Sequence, residues 1–320
     1  MSNAKIPAKR NIKAWILPVV YLVILATLAV IPLFNSVYIT VLFITILAYI
    51  ILTIGWVIFS GPTGYISLAP AAFFGMGMYA AAILGKQLPF PIVIAIASGV
   101  SFVFALVVGS VTLRLRGIYF TIFTFGLVLL IQQLMSWYEV SFTLTKGRFV
   151  IVLDNNVIYY YMLGIFVALI ITAILLARSK YGIALRSIGQ DEEAAAHSGV
   201  NVTPLKVITF ALGSLFMGAA GAAIATRLTY IDPPTAFNIN YSFFPVLMAI
   251  FGGMTNLISP IVGAAVFAYL EEILTTRFPY FYMLVFGLIM ILVITFLPSG
   301  LYGLIQRWRK GGLVKTDAHT

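Results

Sequence analysis

The 320-residue chain has no cysteine and only two histidines, His197 and His319. No disulfide framework, thiolate nucleophile or multi-histidine metal site can be built from it, so no catalytic residue and no metal are expected. Charge is also scarce: only 9% of residues are charged, and nine of these are acidic. At 62% hydrophobic residues and a mean hydropathy of +1.08, too few polar side chains remain to cover a globular surface in water. There is no GxxxxGK[ST] phosphate loop, whose amides and lysine would hold a nucleotide, so ATP hydrolysis by this chain is not expected.

What the chain does have is apolar runs of about 20 residues, the length a helix needs to cross a bilayer. The expected fold is an all-α polytopic membrane protein, a single transmembrane domain over 1–320 with about eight full spans plus re-entrant half-helices. The runs lie near 14–33, 37–59, 68–84, 90–113, 118–138, 157–177, 206–228 and 279–297. The first reads as an uncleaved span rather than a signal peptide. With a basic cytoplasmic amino terminus (1–13) and a cytoplasmic tail (298–320), 14 of the 19 basic residues fall inside and five outside, as the positive-inside rule requires. The net charge of +10 is thereby explained without nucleic acid.

Residues 243–275 must cross an even number of times on this topology. FFPVLMAIF and IVGAAVFAYL are each about half a span, separated by FGGMTNLISP, which reads as a re-entrant pair of short helices. A second break, SGPTGYISLAP, spans Ser60 to Pro70. Non-helical backbone at that depth survives only where protein or a polar cavity surrounds it, so both breaks are expected to wall a translocation path. The path residues are Gly61, Thr63, Gly64 and Ser67 from the first, and Gly252, Gly253, Thr255, Asn256 and Ser259 from the second. Offset by 192 residues the two breaks share letters, as internal transporter repeats do; membrane-helix breaks also favour Gly, Ser and Thr for their own reasons.

A secondary transporter needs an ion-binding acid inside the bundle. Glu139, Asp154 and Asp232 fall in external loops and Asp317 in the tail. Glu271 and Glu272 remain, near Arg277, where an interfacial ion pair is the plainer reading than proton coupling. The membrane region thus lacks an evident engine, and an energising partner is expected to dock from the cytoplasm. The loop 178–205 suits that role. In IGQDEEAAAHSGVNVTP, Asp191 caps a short helix, Glu192 and Glu193 sit favourably in its first turn, and Ala194 to Ala196 propagate it. Gly199 stops it, and Thr203 is expected to cap the next helix with Pro204 at its first position. His197 reads as a solvated helix-end residue.

Glu193, Ala194, Ala195 and Gly199 fit EAAxxxG, which looks like the cytoplasmic loop of ABC importer permeases, although the further IxLP portion is absent. KYGIALRSIGQDEEAAAHSGVNVTPLKVITFALGSLFMGAAGA, FGGMTNLISPIVGAAVFAYLEEIL and FLPSGLYGLIQRW, with GYISLAPAAFFGMGMYAA and LRLRGIYFTIFTF upstream, resemble the LivM family. These are permease subunits of bacterial branched-chain amino-acid ABC importers, and the likeness covers most of residues 50–310.

The resemblance implies an inner-membrane importer subunit that pairs with a LivH-like permease, two ABC ATPase subunits and an extracytoplasmic solute-binding protein. ATP-Mg would reside in the ATPase partners, with no cofactor bound by this chain. ATPase coupling is expected at Asp191, Glu192, Glu193, Ala194, Ala195 and Gly199, with Glu193, Ala195 and Gly199 as contacts. GGMTNLISP departs from the family's GGxGTxxGP, and SLAP from its SLG. Branched-chain amino acids are therefore the family default for the cargo, beside urea, short amides and other small solutes. A stand-alone ion-coupled transporter using Glu271 or Glu272, or a channel whose short helix is a mere connector, are the rival readings.

Overall fold

The structure, a computed structural model, describes residues 27–34, 36–254, 256–281, 284, 285, 287, 288 and 291. The amino-terminal stretch 1–13, most of the spans expected near 14–33 and 279–297, and the tail 298–320 lie outside the described residues, as does Thr255.

Long apolar helices dominate: α1 (Val37–Thr63), α2 (Pro70–Leu84), α3 (Phe90–Thr112), α4 (Ile118–Tyr138) and α5 (Asn155–Arg178). They are followed by α6 (Lys180–Gln190), α7 (Glu192–His197), α8 (Val202–Ala225), a short α9 (Pro233–Ala236), α10 (Asn240–Gly252) and α11 (Ile258–Arg277). Seven helical segments among the described residues are long and apolar enough to cross a membrane.

Two expectations about length are corrected. The run at 68–84 forms a helix of only 15 residues, about 22 Å at 1.5 Å per residue and short of a full crossing. Conversely, the second half of 243–275 is no half-helix: α11 runs 20 residues, because EEILTTR continues the helix past the apolar letters. The first half, α10, runs 13 residues, and together with the short α9 before it makes up a 20-residue apolar segment, Pro233–Gly252.

Helices α1 and α8 form the core, each with 83% of its apolar window buried, against 28%, 22% and 22% for α3, α4 and α5. The reason lies in the small residues of α8. A Cβ at Gly213 would strike the Gly55 carbonyl of α1, one at Gly77 of α2 would strike the Gly218 carbonyl, and one at Gly221 would strike that of Phe74. Backbones can approach this closely only where no side chain intervenes, which is how membrane helices gain packing contact without a hydrophobic driving force.

At the end of α8 remote from α7, two-residue strands β1 (Arg148–Phe149) and β2 (Tyr230–Ile231) pair antiparallel, Arg148 opposite Ile231. The buried Glu139 accepts a 2.7 Å hydrogen bond from the Gly147 amide and lies 3.5 Å from Arg148 Nε, closing the loop that carries β1.

Candidate functional site

Helices α6 and α7 are joined by one residue. Asp191 is extended (φ −156°, ψ 112°), ends α6, and caps α7 by accepting from the amides of Glu193 at 2.9 Å and Ala194 at 3.0 Å. The other end of α7 closes with the Gly199 amide donating to the Ala196 carbonyl and the Val200 amide to that of Ala195. Gly199 adopts φ +87° there, with nothing within 4 Å of a Cβ built on it, so the position asks for glycine through backbone conformation alone. The expected cap at Thr203 is not formed. Helix α8 begins two residues earlier than expected, at Val202, and Pro204 falls third in it; first-turn amides need no intrahelical acceptor, so proline is tolerated there as well.

The six residues of α7 divide sharply by direction. Glu193, Ala194, Ala196 and His197 are exposed, as is Gly199 beyond them, whereas Ala195 is buried. Glu193 makes a 3.1 Å ion pair with Arg116, both side chains being well exposed, so it adds little stability. Glu192 points inward. One carboxylate oxygen accepts from Lys206 Nζ at 2.8 Å and the other from the Tyr65 hydroxyl at 2.5 Å. Lys206 is only 1% exposed and also donates to the Tyr65 oxygen at 3.2 Å and to the Leu113 carbonyl at 3.3 Å. Its ammonium lies 4.5 Å from the Tyr65 ring centroid, within cation–π range. Burial alone would raise the Glu192 carboxyl, but hydrogen bonds from Lys206 and Tyr65, aided by the charges of Lys206 and Arg116, hold it below the ordinary carboxylate range. The sequence reading counted Lys206 simply among the 14 basic residues on the cytoplasmic side; its position one turn into an otherwise apolar helix was the available signal.

Tyr65 belongs to the break between α1 and α2, so its hydrogen bond to Glu192 joins α7 to that break, while the ion pair with Lys206 joins α7 to α8. The break starts at Gly64 with φ +72°, and its backbone groups are satisfied by side chains. Trp56 Nε1 donates to the Ser67 carbonyl at 2.7 Å, Thr121 Oγ1 to that of Ile66 at 2.8 Å, and Ser242 Oγ to that of Leu68 at 2.8 Å. The amides of Leu68 and Ala71 donate to Thr124 Oγ1 and Ser242 Oγ, both at 3.0 Å. Irregular backbone inside a bundle is stable only with such partners. Helix α6 reaches the same region from the other side, since a Cβ on Gly189 would strike the Pro62 carbonyl.

The second break begins similarly, at Gly253 with φ +92°. Gly61, in the last turn of α1 where the sequence suggested a break, and Asn256 of the second break line a common cavity of about 640 Å³ together with Arg186, Gly189, Gln190 and Met254. Among the described residues, Thr63, Gly64, Ser67, Gly252, Gly253 and Ser259, also expected along the path, do not line it. Thr63 is buried and donates to the Phe59 carbonyl at 2.7 Å, and Ser67 is buried with its hydroxyl accepting from the Ala69 amide at 3.2 Å. Gly252 lets α10 approach α11, where a Cβ would strike the Ser259 carbonyl, and Ser259 is itself buried with no hydrogen bond to its hydroxyl.

The family described as branched-chain amino acid transport system / permease component matches residues 15–294. The chain belongs to this family. It is therefore a multi-pass membrane protein of the ABC-transporter permease class. Relatives show the family's breadth of cargo. The chain is 25% identical over 287 residues to the high-affinity branched-chain amino acid transport system permease protein LivM of Salmonella typhimurium, covering 79% of this chain and 67% of that one. A shorter stretch of 87 residues is 36% identical to the L-arabinose transport system permease protein AraH of Escherichia coli, covering 27% of this chain and 26% of AraH. The ribose import permease protein RbsC of Bacillus subtilis is 26% identical over 109 residues, 33% of this chain and 34% of RbsC. No solved structure matches the chain.

Proposed function

We propose that this permease is one membrane subunit of a bacterial inner-membrane ABC importer carrying a branched-chain amino acid or a similarly small zwitterion inward. It pairs with a LivH-like permease and receives its cargo from an extracytoplasmic solute-binding protein. Two ATPase subunits, which hold the ATP-Mg, dock from the cytoplasm on the outward face of α7 formed by Glu193, Ala194, Ala196 and Gly199. Asp191 shapes that face, while Ala195 and Glu192 fasten it to the bundle. The observation that carries this reading is the asymmetry of α7: an exposed face of small side chains on one side, and on the other Glu192, ion-paired to Lys206 and hydrogen-bonded by Tyr65 of the α1–α2 break. ATP binding that displaces α7 then biases the break and the cavity shared by Gly61 and Asn256, which is the differential contact a two-state transporter requires.

The test is co-purification of the permease pair with the two ATPases, followed by ATP-driven leucine uptake in proteoliposomes containing the binding protein. Glu193→Lys is expected to abolish co-purification, while Gly199→Asn, which tolerates positive φ, separates contact from backbone strain. Uptake driven by a proton gradient without ATPases would sink the proposal. The partial likeness to arabinose and ribose permeases motivates a second cargo reading, a pentose, and a ligand screen on the cognate binding protein decides between the two.

A further inference from the structure

The loop between α3 and α4, LRLRG at 113–117, lies beside α7, and its residues divide by direction as those of α7 do. Leu113 is buried and its carbonyl accepts from Lys206 Nζ at 3.3 Å, so the lysine that anchors Glu192 also holds the base of this loop. Arg114, Leu115, Arg116 and Gly117 are exposed. Gly117 turns the chain into α4 with φ +58° and ψ −133°, a conformation that suits glycine. Arg116 reaches back to Glu193, 3.1 Å away. The exposed part of the loop is therefore continuous with the outward face of α7.

Charge on this side of the bundle is one-sided. The segments 113–117 and 178–206 carry six basic residues against three acids, and each acid is already engaged: Asp191 caps α7, Glu192 meets Lys206 and Glu193 meets Arg116. Arg114 takes part in none of the ion pairs found among the described residues. The exposed Arg116–Glu193 pair contributes little stability, so Arg116 can exchange it for a carboxylate of a partner. We infer that loop 113–117 is a second docking element for an ATPase subunit, and that the partner surface it meets is acidic. The inference rests on the proposed function, which puts an ATPase on α7, and it adds the chemistry of the contact. The small side chains of α7 admit close approach, while Arg114 and Arg116 at its edge pair with carboxylates. Glu193 positions Arg116, so Glu193→Lys acts partly by repelling it. Charges at the rim of an interface govern mainly the association rate and its dependence on salt.

The test uses the detergent-solubilised permease pair and the purified ATPase subunits. Arg114→Glu is expected to slow association by about ten-fold at low salt, with the difference shrinking at high salt, and Arg114→Lys to stay near native. A second measurement does not depend on a charge change. Leu115→Cys, in a chain with no other cysteine, carries a photoactivatable maleimide on the exposed part of the loop. Illumination of the assembled complex should crosslink it to an ATPase subunit, whereas the same label on Leu144→Cys, at the opposite end of the bundle, should give no such product. Native association at low salt in Arg114→Glu, or adducts at position 115 with lipid alone, overturns the second docking element while leaving docking on α7 intact. ATPases that fail to bind the native permease pair overturn the proposed function instead.

Discussion

The scarcity of acids makes each one informative. Asp154, Asp191 and Asp232 all cap helices, Glu139 closes a loop, and Glu271 meets a tyrosine. Glu192 alone pairs with a fully buried cation. Lys206→Met leaves the Glu192 carboxylate without its principal partner. Because Glu192 is partly exposed, the expected loss is on the order of 2 kcal/mol, below the range for a fully buried pair. The apparent melting temperature in detergent should fall accordingly, and adding Glu192→Gln should recover more than half of the loss, as a double-mutant cycle would reveal. The pH dependence has a definite sign. Since the folded state depresses the Glu192 carboxyl, its stabilisation is fully present above the ordinary carboxylate range and disappears as pH falls below it. The protection of amides across residues 191–200, taken relative to their intrinsic exchange rates at each pH, should therefore fall on acidification, and Glu192→Gln should remove that local acid response.

At the scale of elements, close approach of backbones governs what substitutions do. Gly189→Val sets a branched side chain against the Pro62 carbonyl and must push α6 away from the end of α1. The expected result is a permease that assembles with lower thermal stability and, on the proposed mechanism, loses transport relative to ATP hydrolysis. Measuring both rates in one preparation checks this, and an unchanged ratio counts against a mechanical role for α6. Gly213→Val, aimed at the Gly55 carbonyl in the core, should instead prevent stable folding, read as loss of a monodisperse peak in size-exclusion chromatography.

This scale also shows how far the sequence could be read. Most boundaries were legible because apolar runs map directly onto helices, and the Asp191 cap because capping is local. The start of α8 lies two residues before the expected one because first-turn amides leave proline several acceptable positions. The length of α11 was missed because charged letters at a helix end look like a terminus. Strands β1 and β2 are two residues each and carry no periodicity. The contacts of Tyr65 with Glu192 and of Tyr49 with Glu271 cross 127 and 222 residues of chain, so no local pattern announces them.

For the whole molecule, burial is concentrated in α1 and α8, while α3, α4 and α5 turn many apolar side chains outward, among them Val107, Val111, Ile122 and Leu175. Lipid and a partner permease are the two environments that suit such faces. The absence of cysteine makes single-cysteine chemistry clean. A cysteine at the exposed His197 should react with a membrane-impermeant maleimide only from the cytoplasmic side, and one at the exposed Leu144 only from the opposite side. The swapped pattern, His197 labelled only from outside and Leu144 only from the cytoplasm, would reverse the orientation on which ATPase docking depends.

The single extended residue between α6 and α7 has a further consequence. A joint of one residue, with both flanking helices hydrogen-bonded up to it, has no backlash: a displacement imposed on α7 is delivered to Gly189 and Pro62 without first taking up slack. Lengthening the joint by one glycine would insert a dead zone. Small strokes of α7 would then be absorbed while large ones still pass, turning a proportional linkage into one with a threshold.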